Sequence, residues 1–188
     1  MGLDIKNTDL KKASILFLGL ALLTGFVLLQ PNGGNGESAD FNRNDVMFMN
    51  MMIVHHDQAI KMAELSGNRT DNENILELSN NISKAQTREN EQMNKWMQEL
   101  GYNPGNHHRM AGMASEQEMQ RLRNSNGSEY NNLFAELMIE HHEGGIAMAQ
   151  NVYNSGENTE LREMQGQMIE AQQNEIGKMR RWQEEELL

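Results

Sequence analysis

Residues 48–63 read Phe48-Met49-Asn50-Met51-Met52-Ile53-Val54-His55-His56-Asp57-Gln58-Ala59-Ile60-Lys61-Met62-Ala63. Residues 134–149 read Phe134-Ala135-Glu136-Leu137-Met138-Ile139-Glu140-His141-His142-Glu143-Gly144-Gly145-Ile146-Ala147-Met148-Ala149. The offset of 86 persists without a gap through residues 48–100 and 134–186. It pairs Glu77 with Glu163, Gln86 with Gln172, Glu89 with Glu175, Met93 with Met179 and Trp96 with Trp182. A gapless match of this length is the mark of an internal repeat.

Each copy reads as two helices and a turn. In the first, a helix over 44–66 ends at Gly67, and a second over 71–100 starts at Thr70 or Asp71 and ends at Gly101. In the second, helices over 129–155 and 158–187 flank Gly156. Ser115 and Glu118 form a capping box for a short extra helix over 115–125. Two such hairpins predict an all-α, antiparallel four-helix bundle over residues 41–188. In an up-down-up-down arrangement the first and third helices would run parallel, with their histidines at one height. Low aromatic content (5%) and the lack of alternating runs argue against a β fold.

At about 100° per residue, Phe48, Met52, His55, His56, Ala59, Met62 and Ala63 share one helix face, as do their counterparts in the second copy. That face is the apolar stripe, so the histidines are directed to the core. The partner helices present Ile82, Gln86, Glu89, Met93 and Trp96, with Glu89 and Glu175 within about a turn of the histidines. Buried imidazoles need a partner for every ring nitrogen, and a metal supplies one. Candidate ligands are His55, His56, His141, His142, Met52, Met62, Met138, Met148, Glu89, Glu175, Met93 and Met179. The link between the copies adds His107, His108, Met110 and Met113, as a second site or a delivery lid. All six histidines of the chain thus fall in three pairs, and fifteen of its sixteen methionines lie between Met47 and Met179.

Thioether selects Cu(I), and imidazole accepts Cu(I), Cu(II) and Zn(II), whereas the carboxylates suit harder ions. The mixture favours copper, with silver as a mimic. Zinc motifs of the HExxH type and the Glu-x-x-His pairs of di-iron bundles are missing. The Gly144-Gly145 pair, where the first copy has Gln58-Ala59, would open space near His142.

The chain has 188 residues, no cysteine and a formal net charge of −11. Residues 1–40 hold three lysines against four acidic residues, leaving about −10 on the remainder, which excludes a nucleic-acid footprint. Without cysteine there is neither a disulfide framework nor a thiolate site. Residues 13–29 form an apolar run preceded by Lys6, Lys11 and Lys12. Residues 1–30 therefore read as a membrane anchor or a signal segment, and a poor cleavage site favours the anchor. Residues 31–40, rich in Gly and Asn, form a linker. The lysines place the folded part outside the cytoplasm, or free in the periplasm or medium after cleavage.

The M-x-x-H-H-x-x-A-I-x-M-A motif at 52–63 and its counterpart at 138–149 resemble those of the CopM-like family. So do Gln86-x-x-Glu89-x-x-x-Met93-x-x-Trp96 and the linking Met110-Ala-Gly-Met113. The resemblance covers roughly residues 41–188. It implies a ferritin-like four-helix fold, an extracytoplasmic location and copper binding through Met52, His55, His56, Met62, His141, His142 and Met148. The function expected is a copper-binding protein that buffers, sequesters or transfers the ion and is not an enzyme, since no nucleophile–base constellation is evident. The alternatives are a ferritin-like redox enzyme and a structural module of the cell envelope. A homo-oligomer or a copper-handling partner protein is compatible with the helical faces.

Overall fold

The computed structural model describes residues 40–103, 105 and 110–188. The anchor and linker expected over 1–40 lie outside that range, apart from Asp40, as do His107 and His108. Among the described residues the structure is all-helical, in the order α1 (Arg43–Leu65), α2 (Glu73–Glu99), α3 (Glu116–Asn124), α4 (Gly127–Tyr153) and α5 (Thr159–Glu184). No helix among them is long and apolar enough to cross a membrane.

Local chemistry sets the boundaries. Asn42 and Asp45 form a capping box that starts α1: the Asn42 side chain accepts from the backbone of Asn44 and Asp45, and Asp45 accepts from the Asn42 amide. Asn72, rather than Thr70 or Asp71, caps α2 through Ile75 N–H (3.2 Å), while Thr70 accepts from the amide of Asn72 itself. The capping box expected at Ser115 and Glu118 starts α3. Gly101 closes α2 with φ 76°, its amide donating to Gln98 and that of Tyr102 to Met97, a Schellman end. Gly67 does not play that part; a 3-10 turn, Ser66–Asn68, follows α1 instead. Gly156 is needed for space, because a Cβ there would collide with the Asp45 carboxylate. That buried carboxylate also accepts from the amides of Glu157 (3.0 Å) and Asn158 (3.2 Å), tying the start of α1 to the α4–α5 turn.

The last contact settles the topology. The start of α1 meets the end of α4, and Ser66 beyond the end of α1 bonds Tyr130 in the first turns of α4 (2.8 Å). So α1 and α4 are antiparallel, and the expected up-down-up-down order with a parallel first and third helix is overturned. The reason is the link between the hairpins. Its described residues Gly105, Ala111 and Ala114 touch α1 successively at Asn50, His55 and Gln58, and α3 begins toward the end of α1. The hairpins α1–α2 and α4–α5 are thereby related by a near twofold axis perpendicular to the helices.

Two apolar clusters fill the ends. One gathers Met62, Ile75, Ile82, Tyr130, Phe134, Met138 and Met179 beneath α3; the other gathers Phe48, Met52, Met93, Trp96, Leu161 and Met168. Between them lies a polar belt of His55, His56, His141, His142, Gln86 and Gln172, all buried.

The crossing link explains the two glycines. A Cβ on Gly144 would fall onto the Ala111 carbonyl and 2.8 Å from the Cα of Gly112. Gly112 itself has φ 78° and lies against the Glu140 carbonyl. Gly144 therefore opens no space at His142; a second backbone occupies it, and Gly145 abuts Gln172 and His55. Replacing Gly144 by Ala is expected to cost about 1–3 kcal/mol through overpacking. Urea denaturation of the variant checks this, and an unchanged midpoint would contradict the contact.

Candidate metal centre

All four core histidines are held in the same way. His56 Nε2 lies 2.7 Å from Glu89 Oε2, and His142 Nε2 lies 2.7 Å from Glu175 Oε2. His141 Nε2 meets the His55 carbonyl at 2.9 Å, and His55 Nε2 meets the Ala111 carbonyl at 3.3 Å. Carbonyls and carboxylates only accept, so Nε2 carries the proton in each ring and Nδ1 carries the lone pair. None of the four Nδ1 atoms, each buried, has a hydrogen-bond partner in the protein. Four buried acceptors left unpaired in one layer would cost about 1–3 kcal/mol each. A bound cation removes that cost.

The electrostatics agree. Burial, together with the nearby His56 and His142, pushes the His55 imidazole down to about 3. His141 is held well below the usual histidine value by burial and by the charges that His55, His142 and His56 would carry. The rings of His55 and His141, positions 86 apart, face each other with centroids 3.7 Å apart. They sit on the near twofold axis. Both stay neutral and available as ligands where an exposed histidine would begin to protonate.

The methionines divide with the same symmetry. Met62, Met138 and Met179 lie in the cluster on one side of the belt. Their counterparts Met148, Met52 and Met93 lie in or against the cluster on the other, with Met148 only half-buried. Met52 and Met138 stand one helical turn before His56 and His142, toward which the histidine side chains lean. Met93 and Met179 stand one turn beyond Glu89 and Glu175. Three of the candidate thioethers thus fall on each side of the belt, from both hairpins, beside Met119 on the first side and Met49, Met97, Met164 and Met168 on the second. Among the described residues, no three His, Asp or Glu side chains are grouped so as to hold a metal alone. Met110 and Met113 are half-buried on the crossing link, on either side of the Ala111–Gly112 contact.

The domain family DUF305, a domain of unknown function, matches residues 45–183. The chain belongs to the DUF305 family. Several solved structures superpose on it. A DUF305 fragment from Deinococcus radiodurans is 28% identical, with a TM-score of 0.70, over 74% of this chain and 95% of the other. A DUF305 protein from Streptomyces coelicolor, described as a candidate secreted protein, is 28% identical, with a TM-score of 0.66, over 72% and 88%. CopM in its Cu(I)-bound form is 28% identical, with a TM-score of 0.66, over 75% and 96%. CopM has also been solved with silver, with Cu(II) and as the apo protein. No curated protein matches the chain.

The residues that sequence reasoning missed are those the crossing link supplies. Ala111 contributes a backbone carbonyl, which no side-chain motif announces. Gln58 clasps the link through Ala114 N–H (2.7 Å) and the Ala114 carbonyl (2.9 Å). The Glu89 and Glu175 carboxylates fix which nitrogen of His56 and His142 is free, the familiar role of an outer-shell partner. Replacing both by Gln is expected to weaken soft-metal binding by about 10–100-fold without changing its stoichiometry. Competition with a silver chelator measures this, and full-strength binding would show that the pairs are structural only.

Proposed function

We propose that this DUF305 protein binds copper through its Met/His belt and buffers, sequesters or hands on the ion outside the cytoplasm, without catalysing a reaction. The observation that carries the reading is the set of four buried imidazoles, each anchored through Nε2 with an unpartnered Nδ1, in a belt flanked by two methionine-containing clusters. His56 with Met52 and Met93, and His142 with Met138 and Met179, are the donor sets proposed for the two halves. His55 and His141 are proposed to serve both halves from the axis, with Met62 and Met148 as further donors. Neutral nitrogen and thioether ligands favour Cu(I) and silver, and imidazole also accommodates Cu(II). The copper- and silver-bound structures of CopM support this choice. Met110, Met113, His107 and His108 are proposed as a second site or a delivery lid. The apolar run over 13–29 and the secreted description of a family member support the location.

The test is elemental analysis of the purified full chain, followed by anaerobic Cu(I) titration. Tight, saturable binding at a fixed stoichiometry is the expected result. Retention of iron with oxygen-dependent turnover would replace the reading by a redox enzyme, and binding of no metal would replace it by a structural role.

A further inference from the structure

The polar belt holds two residues that the proposed donor sets leave unused. Gln86 and Gln172, again positions 86 apart, are each 3% exposed, and the side-chain oxygen of each has no hydrogen-bond partner in the protein. The Gln172 amide nitrogen has none either. Gln172 stands beside one of the two histidines on the axis. The place that a Cβ on Gly145 would fill is 2.9 Å from Gln172 Oε1 and 3.3 Å from His55 Cε1. Cε1 is the ring carbon bonded to Nδ1, the nitrogen whose lone pair is unpaired. The first copy has Ala59 at the position of Gly145; a methyl group at 145 would push the Gln172 amide aside.

A buried carboxamide group without a partner costs about 1–3 kcal/mol, and a leucine in its place would carry no such cost. Packing therefore does not account for either glutamine. A cation does, because carboxamide oxygen is a neutral donor like Nδ1, but a harder one. No hydrogen bond fixes the Gln172 amide, so its oxygen can turn onto an ion without breaking one. Thioether and imidazole suffice for Cu(I), whereas Cu(II) favours tetragonal sites of nitrogen and oxygen. Carboxamide oxygen also occurs as a weak axial ligand at copper sites built on imidazole. The charge is matched as well: Glu89 and Glu175, each bonded to a belt histidine, set two negative charges against the double charge of Cu(II). We infer that Gln172, with its counterpart Gln86, is an oxygen donor through which the belt holds Cu(II) as well as Cu(I). The inference rests on the copper reading and extends its donor set.

The test compares Cu(II) with Ag+, a redox-inert stand-in for Cu(I), on the metal-stripped full chain. In the variant Gln86→Leu/Gln172→Leu, Cu(II) is expected to bind at least about tenfold more weakly, about 1.4 kcal/mol. Ag+ should keep its stoichiometry and affinity, with the helices unchanged by circular dichroism. Gln172→Glu keeps an oxygen at the same place and should bind Cu(II) at least as tightly as the unmodified chain. In the unmodified chain, a crystal structure of the Cu(II)-loaded protein should place the Gln172 side-chain oxygen in the coordination shell of the copper, a readout that does not depend on a variant folding. Equal weakening of both ions in the leucine variant would make the glutamines packing residues and overturn the inference. Unchanged Cu(II) binding, or copper ligated without either carboxamide, would also overturn it and leave the amides to water. A chain that binds Ag+ but not Cu(II) would sink this inference and spare the copper reading, whereas binding of neither would sink both.

Discussion

A chain carrying His55→Ala, His56→Ala, His141→Ala and His142→Ala together is expected to lose soft-metal binding almost completely. Removing an outer-shell partner already costs about 10–100-fold in affinity, and here the nitrogen ligands themselves go. The thioethers that remain sit in two separate clusters on either side of the belt, so neither side keeps a mixed nitrogen–sulfur site. Silver titration reports the loss without redox side reactions, and circular dichroism shows whether the helices survive. The pairs His55→Ala/His141→Ala and His56→Ala/His142→Ala divide the effect between the axis and the two outer positions. Undiminished silver stoichiometry in the fourfold variant would sink the assignment.

Acid should destabilise the metal-free protein well before its carboxylates titrate. His55 has a value of about 3 in the fold against 6.5 when free, and His141 is shifted the same way. Above pH 6.5 both are neutral folded or unfolded, and they contribute no dependence. Below it the unfolded chain takes up protons that the folded chain refuses, so stability falls as the pH drops from 6.5 towards 3. The slope is about 1.4 kcal/mol per pH unit for each such histidine. The groups facing the pair are His56 and His142, whose charge would oppose protonation further. Glu89 and Glu175 lie beyond them, bonded to those two rings. Urea denaturation at pH 7.5, 6 and 5 measures the slope. A flat profile between pH 7.5 and 5 would mean that the belt takes up protons without unfolding. Saturating Ag+ should raise stability across this range, because the metal binds the same Nδ1 lone pairs that a proton would take.

Much of this architecture was legible in the sequence. The hairpins follow from helical periodicity, and the burial of the histidines follows from their place on the apolar stripe. The level of Glu89 and Glu175 follows from counting back from the turn, and both carboxylates stand at hydrogen-bond distance from His56 and His142. The direction of the second hairpin was not legible in the stripe, because a stripe packs equally well against a parallel or an antiparallel neighbour. The informative feature was the link itself. A segment running from Leu100 to Gly127 is long enough to return along the bundle, whereas an up-down-up-down order needs only a short turn. The Gly144-Gly145 pair was misread for a related reason. Absent side chains look like space until the backbone that fills it is known. The Asn42–Asp45 capping box has a readable pattern, but the second role of Asp45 as acceptor for Glu157 and Asn158 depends on a contact 112 residues away.

The near twofold axis through His55 and His141 has a consequence for assembly. Each hairpin presents to the other a face that complements itself, which is the geometry of a symmetric dimer built from two like subunits. Joining the halves through the crossing segment makes their association intramolecular and so independent of protein concentration. The Met/His belt is then preassembled at any dilution, at the cost of symmetry at one point. His141 donates to the carbonyl of its opposite number, whereas His55 must turn to the crossing link for an acceptor. That one borrowed bond makes the two halves chemically inequivalent and gives a tethered dimer a front and a back.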